Sequence, residues 1–386
     1  MKVSLIVDLA GNLQSRARQY AQALTGLSNS GSRAFSGLRN AAASVGRGLD
    51  GMGNRYTAMI AGAGITYKAT KAVMDSAALD KMLARVANTA GATAQQSRGL
   101  RSELYDMAKQ TGQSVDELLQ GFYALVQSGQ SWDEALATIK AINPAMAVTG
   151  ASAETLASGM TVAAQSFGFD LSDLKTAKLM LDQMYAAGNL GNAELENLAD
   201  IFARVGNNAK TAGLSFEGTL AFIERMSLVE KQPERLATLT DSTLRLFTNQ
   251  KYMTKAAKVT GVNFYDAKGE RRAMFDVLAD IRDRYQKFKT SAEKDKAFSA
   301  AFGDTDLDTQ RGLRIFLDAD TIDEARTFSG EIKESAGLIA QKLPSAVANA
   351  VDQTARLKAE LGKAADAFAQ PINDVIEDGI KYILDT

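Results

Sequence analysis

The chain has 386 residues, 46% of them hydrophobic, with 44 Lys and Arg against 45 Asp and Glu, 4 Pro, and neither His nor Cys. That length gives room for two or three domains, and a composition rich in Ala, Leu, Met and Gln favours helix. Without His or Cys there is no Ser-His-Asp triad, no cysteine nucleophile, no zinc finger, no haem held by His and no disulfide framework.

Met1-Lys2 leads into Val3-Ser4-Leu5-Ile6-Val7-Asp8-Leu9, an alternation too short and too soon acidic for the apolar core of a signal peptide. A long helical stretch follows. Leu13, Ala17, Tyr20, Leu24 and Leu27 stand at 4-3-4-3 spacing, and Phe35, Leu38, Ala42, Val45, Leu49, Met52, Tyr56 and Met59 continue the seam after a slip near Gly31. Such a heptad seam packs lengthwise on another helix. Its interspersed glycines make the helix marginal alone, since each costs roughly 1 kcal/mol against Ala. Leu13, Tyr20, Leu24, Leu27, Leu38, Val45 and Leu49 are therefore the expected self-association residues; an amphipathic helix lying on its own domain is the competing reading. Residues 1–74 hold nine bases against two acids, a balance of +7, and residues 304–386 hold sixteen acids against nine bases, a balance of -7. This polarity suits two ends that meet different surroundings.

Ala61-Gly62-Ala63-Gly64-Ile65 reads as a hinge. From about residue 76 the texture changes to helices of 10–18 residues, separated by turns near Gly91, Gly112, Gly129, Gly150, Gly168, Gly188 to Gly191, Gly206 and Gly213. A phrase recurs at these joints: a small residue and Gly, Ser one residue on, then an acid and an apolar run. Thr111-Gly112-Gln113-Ser114, Ser128-Gly129-Gln130-Ser131, Thr149-Gly150-Ala151-Ser152 and Ala212-Gly213-Leu214-Ser215 are its copies. Gly ends one helix in the left-handed conformation, and Ser caps the next. Glu117 and Glu134, three residues after their Ser, predict capping boxes. Thr260 to Arg271 breaks the pattern as a small hairpin or turn near 261–272, helix resumes at Phe275, and the turn at Phe302-Gly303-Asp304 leads into a helix through Phe316. From 345 the seam returns in Val347, Val351, Thr354, Leu361, Ala365, Phe368, Ile372 and Val375, with Lys358 at the polar position. The expected fold is all-α: a helical bundle of short Gly/Ser-capped helices flanked by long amphipathic coiled-coil-like helices. Its parts are a basic, Gly-rich oligomerisation segment (1–75), a bundle core (76–330) and a C-terminal extended helix (331–386).

Candidate chemistry fails on context. Asp304-Thr305-Asp306-Leu307-Asp308 begins like a calcium loop but has Thr309 where Gly is needed and Ile315 where a bidentate acid is needed, so its acids are expected to cap a helix. Gly46-Arg47-Gly48-Leu49-Asp50-Gly51 has the letters of a dinucleotide loop without a βαβ unit around it. Asp182, Glu194, Glu196 and Asp200 are expected on helix faces, and Trp132 in a packing role beside a cap. No catalytic, cofactor or metal site is assigned, and no apolar run is long enough to span a membrane. The basic N-terminal stretch permits loose, non-specific contact with DNA phosphates.

The order of these features resembles the core region of phage tail tape measure proteins. Thr149-Gly150-Ala151-Ser152 leads to Ala164-Gln165-Ser166-Phe167-Gly168. Asn197-Leu198-Ala199-Asp200 leads to Val205-Gly206, then Ala212-Gly213-Leu214-Ser215-Phe216-Glu217. Thr260-Gly261-Val262 leads to Asp266-Ala267-Lys268-Gly269 and Ala301-Phe302-Gly303. The resemblance covers roughly residues 76–330. It implies a non-enzymatic virion protein assembled in the bacterial host cytoplasm that works inside the tail tube or tip. There it nucleates tube assembly, sets tail length and is released before DNA ejection. The implied partners are copies of itself, as a trimer or hexamer, tail tube and tail tip or baseplate proteins, and tail assembly chaperones. Family members with apolar segments or a peptidoglycan-cleaving domain have no counterpart here. A wholly helical chain would span roughly 580 Å, so a short tail or a longer product is expected. The rival reading is a soluble helical interaction module, an adaptor or effector unrelated to a virion.

Overall fold

Ser114, Ser131, Ser152 and Ser215 each open a helix by accepting a hydrogen bond from a backbone N–H three residues on, at 3.2, 3.3, 3.2 and 3.0 Å. These bonds satisfy donors that no residue inside the helix can reach. Gly112 and Gly150 close helices at φ 83° and 77°, a region that a Cβ disfavours. The recurring phrase therefore does at each joint what its residue types require. One detail differs. The capping box is complete for Ser131 and Glu134, whereas at Ser114 only the Ser-to-backbone half forms.

The computed structural model describes residues 65–318, 320–349, 352–367 and 370. In chain order the helices are α1 (Ile65–Ala90), α2 (Ala94–Thr111), α3 (Val115–Gln127), α4 (Trp132–Thr149), α5 (Ala153–Phe167), α6 (Leu174–Leu190), α7 (Leu195–Thr211) and α8 (Phe216–Ser227). They continue with α9 (Pro233–Thr248), α10 (Gln250–Thr260), α11 (Met274–Tyr285), α12 (Ser291–Phe302), α13 (Leu307–Phe316), α14 (Thr321–Lys333), α15 (Leu338–Ala346) and α16 (352–367). The all-α expectation holds. Between α10 and α11 the expected small hairpin is a single antiparallel bridge, Tyr265 with Arg271, turned by Gly269 at φ 81°.

From α1 to α9 helices pack on the next but one, and α13 packs on α9, which sorts them into rows. α3, α5, α7, α9 and α13 form one row; α2, α4, α6 and α8 form the other. Within the first row α5 and α7 touch backbone to backbone. A Cβ on Gly159 would stand 2.7 Å from the Ala199 carbonyl oxygen. Polar links tie neighbours within a row. Thr111 donates to Asn143 Oδ1 at 2.7 Å and Asn143 donates to the Met107 carbonyl at 3.2 Å, joining α2 to α4. Thr309 donates to the Ser242 carbonyl at 2.6 Å, joining α13 to α9. Between the rows lies a continuous apolar core that includes Phe122, Phe202, Phe216, Phe222 and Phe316.

The last three helices run back over the second row. α14 lies on α8 and α6, α15 lies on α6 and α4, and α16 lies along α2. This third layer explains why α8, from Phe216 to Ser227, is buried on nearly every side.

Three sequence readings are corrected. Gly206 does not mark a turn; it sits inside α7, where a Cβ would press on the Phe202 ring at 2.7 Å. The boundary expected at 75 falls inside α1, because no Gly or Pro interrupts Ile65–Ala90. The segment from 331 is not one extended helix among the described residues. Gly337, at φ +84°, starts α15 afresh, and Asn349 starts α16 by accepting from the Asp352 N–H at 3.0 Å.

Candidate functional site

The expected self-association residues Leu13, Tyr20, Leu24, Leu27, Leu38, Val45 and Leu49 lie outside the described residues, as does the Gly46 to Gly51 motif. The remaining candidates are accounted for by local structure. Asp306 is the N-cap of α13, accepting from the Thr309 N–H at 2.9 Å, and Asp304 pairs with Lys255 at 2.7 Å. Trp132 is buried edge-on against Phe122, ring centres 4.9 Å apart. Glu196 accepts from the Ser152 N–H at 3.3 Å. Among the described residues, no group of three or more His, Cys, Asp or Glu could hold a metal ion, and no helix is long and apolar enough to cross a membrane.

Asp182 has a more specific task. Buried on α6, it accepts from the Gly337 N–H at 2.7 Å and the Ile339 N–H at 2.9 Å. It thereby caps α15 from across the layers, supplying the acceptor and negative charge that a helix N-terminus attracts. This partnership, 155 residues away in sequence, fixes where the returning layer crosses the second row.

Glu224 of α8 lies wholly inside, beneath the α6–α7 turn. Its Oε2 accepts from Ser227 Oγ at 2.8 Å and from the Ala193 N–H at 3.3 Å, while Oε1 has no partner. Burial pushes its pKa up to about 8, against smaller lowering effects of those donors. Arg225, next in sequence, reaches out to Glu324 at 2.5 Å and ties α8 to α14.

α1, α2 and α16 converge on Arg101. This side chain lies on the buried stripe of α2 with Leu104, Ala108 and Thr111, and is 6% exposed. It donates to the Ser76 carbonyl at 3.1 Å and pairs with Asp80 at 3.0 Å, both on α1, and with Asp366 of α16 at 3.5 Å. Tyr105 stands one turn along, with its pKa raised to about 12 by burial first and by the Asp366 charge second. Further along the same face Lys363 pairs with Asp106 at 2.5 Å, Lys109 pairs with Glu360, and Arg356 donates to the Lys109 carbonyl at 2.8 Å. α1 and α16 therefore meet against α2, the first helix of the second row. A basic residue on an otherwise apolar stripe was a readable signal for Arg101. Nothing local marked Asp182 or Glu224, whose partners come from remote segments or a neighbouring turn.

Among the described residues, the groups above serve packing, helix capping and contacts between helices. The family described as phage-related minor tail protein matches residues 101–303, which is more than half of the chain and runs from α2 to the end of α12. The tape measure protein of Pneumococcus phage Dp-1 is 24% identical over 334 residues, covering 84% of this chain and 28% of that protein. The chain thus spans under a third of that relative's length. No solved structure matches. A two-row helical stack whose main body this family matches, over more than half of the chain, belongs to the phage-related minor tail proteins, of the tape measure type.

Proposed function

We propose that this chain is a non-enzymatic structural component of a phage tail. Its stack serves as the body that docks tail tube and tail tip or baseplate proteins, and assembly chaperones. Its N-terminal seam, from Leu13 to Leu49, joins copies of the chain, as a trimer or hexamer. As part of a tape measure protein it nucleates tube assembly, contributes to tail length and leaves before the DNA. The observation that carries this reading is that the family match, from α2 through α12, takes in every helix of the two rows except α13. Buried polar groups there, such as Thr111, Asn143 and Asp182, are taken up by caps and links between helices.

The test is made in virions. Peptides from residues 76–330 are expected in mass spectra of purified tails, and disruption of the gene is expected to leave no tails until the chain is restored. Normal tails from the disrupted gene, with no such peptides in virions, would leave the adaptor or effector reading in its place.

A further inference from the structure

Charge is unevenly shared within the described body. Residues 251–296, from α10 into α12, hold twelve Lys and Arg against seven Asp and Glu. The rest of residues 65–370 hold twenty-four against thirty-two, so a module of balance +5 sits on a body of balance -8. Most acids of the module are engaged. Asp276 pairs with Arg326 and Asp295 with Arg314, both bases from outside it. Asp280 pairs with Arg272, Asp283 with Arg282, and Glu293 completes the cap of α12. Among the described residues, the exposed side chains of Lys258, Lys287 and Lys289 have no such partner.

One contact gathers these lysines. Arg284, in the last turn of α11, donates to the Thr260 carbonyl at 2.5 Å, so the C-terminal ends of α10 and α11 meet. Lys258 and Val259 stand just before Thr260 on α10. Lys287 and Phe288 continue the turn of α11, their N–H groups donating to the Arg284 and Tyr285 carbonyls, each at 3.3 Å. Phe288 is 40% exposed and Val259 is 45% exposed. Lys258 and Arg284 complement the carbonyl ends of their helices, whereas Lys287 and Lys289 lie past the end of α11. The corner thus presents an exposed ring between two cations, with Lys258 and Arg284 beside it.

The chemistry of the corner discriminates among anionic partners. A bilayer takes up the broad apolar face of an amphipathic helix, and two exposed apolar side chains fall far short of that. An acidic protein segment supplies charge alone. A duplex hides its base faces in the stack and offers mainly phosphates. A single nucleic-acid strand carries a phosphate and an unpaired base in every unit, so cations and ring both meet a partner.

We propose that the corner where α10 and α11 end is a binding surface for single-stranded nucleic acid. Lys258, Lys287 and Lys289 hold phosphates, and Phe288 stacks on a base. Backbone charge and stacking carry the contact, so the surface reads no sequence. It is separate from the basic N-terminal stretch and does not depend on the tail reading.

Fluorescence anisotropy of the full chain with a labelled DNA strand of about 20 nucleotides, longer than one such surface covers, reads the contact. The wild type is expected to bind this strand more tightly than the duplex of the same sequence. K258Q/K287Q/K289Q is expected to lose affinity by about tenfold or more at low salt. The slope of log affinity against log salt should lessen by about 2, since each phosphate contact on a single strand contributes roughly 0.7. Phe288→Ala is expected to weaken strand binding about tenfold with the slope unchanged, as loss of one stacked base implies. K175Q/K178Q/K231Q makes the same change in net charge at exposed positions on α6 and before α9, and is expected to bind as the wild type does. Equal melting temperatures show that all variants keep the fold. The proposal fails if the wild type does not bind the strand, if the two triple variants lose equally, or if Phe288→Ala changes nothing. It fails also if poly-glutamate displaces the labelled strand as well as unlabelled strand does. Loss of binding to phosphatidylglycerol vesicles in K258Q/K287Q/K289Q, with strand binding intact, overturns it in favour of a membrane.

Discussion

A carboxyl group with one oxygen held by two donors and the other sealed from any partner, as in Glu224, keeps its proton more tightly folded than unfolded. Its pKa rises from the ordinary 4.5 to about 8 through burial. Below 4.5 both states carry the proton and pH has no hold on this site. Between 4.5 and about 8 the unfolded chain releases the proton while the folded chain retains it, so stability falls as pH rises, and the loss is complete above about 8. Glu224→Gln should abolish this part of the slope. Melting temperatures measured from pH 4.5 to 8.5 should fall less for the variant, and the variant should be the more stable protein at the alkaline end. Parallel curves for the two proteins would mean that Glu224 is ionised in the fold. Arg101 gives a second residue-scale expectation. Arg101→Leu preserves the apolar stripe of α2 but strands Asp366, so protease should cut within 352–367 earlier than in the wild type, while α2 to α9 resist as before. Equal cutting rates would place the hold on α16 elsewhere.

Two glycines in the middle of helices separate packing from propensity. Gly159 of α5 has no room for a Cβ beside Ala199, whereas a Cβ on Gly330 of α14 would meet nothing within 4 Å. Gly330→Ala should stabilise by about 0.4–1 kcal/mol, since Ala narrows the unfolded ensemble and suits a helix. Gly159→Ala should destabilise in spite of the same propensity gain, because α5 and α7 must separate to admit the methyl group. Urea midpoints of the two variants should move in opposite directions. The same contrast shows what could be read before any coordinates. Caps are chemistry between residues three or four apart, so Ser131 with Glu134, Gly112 and Gly150 declared the helix ends directly. Gly206 misled because a glycine that breaks a helix and one that makes space beside a ring look alike in sequence; Phe202, four residues earlier, is what gives it its place. The rows themselves were not legible. Which helix lies on the next but one is decided by long-range contacts such as Thr309 to Ser242 and Asp182 to Gly337, and neither partner's neighbourhood announces the other. The seam after 345 was visible as a pattern, but not the Asn349 cap that interrupts it, since Asn also tolerates a solvent-facing helical position.

For the molecule as a whole, the N-terminal seam remains the proposed joint between copies. Leu24→Asp with Leu27→Asp should reduce the sedimenting species to monomer if the seam carries the association, and an unchanged mass would remove that role. Because Arg101 of α2 bonds to Ser76 and Asp80 of α1 and to Asp366 of α16, the first and last described helices share one anchor, and any change at that side chain acts on both ends of the described body at once.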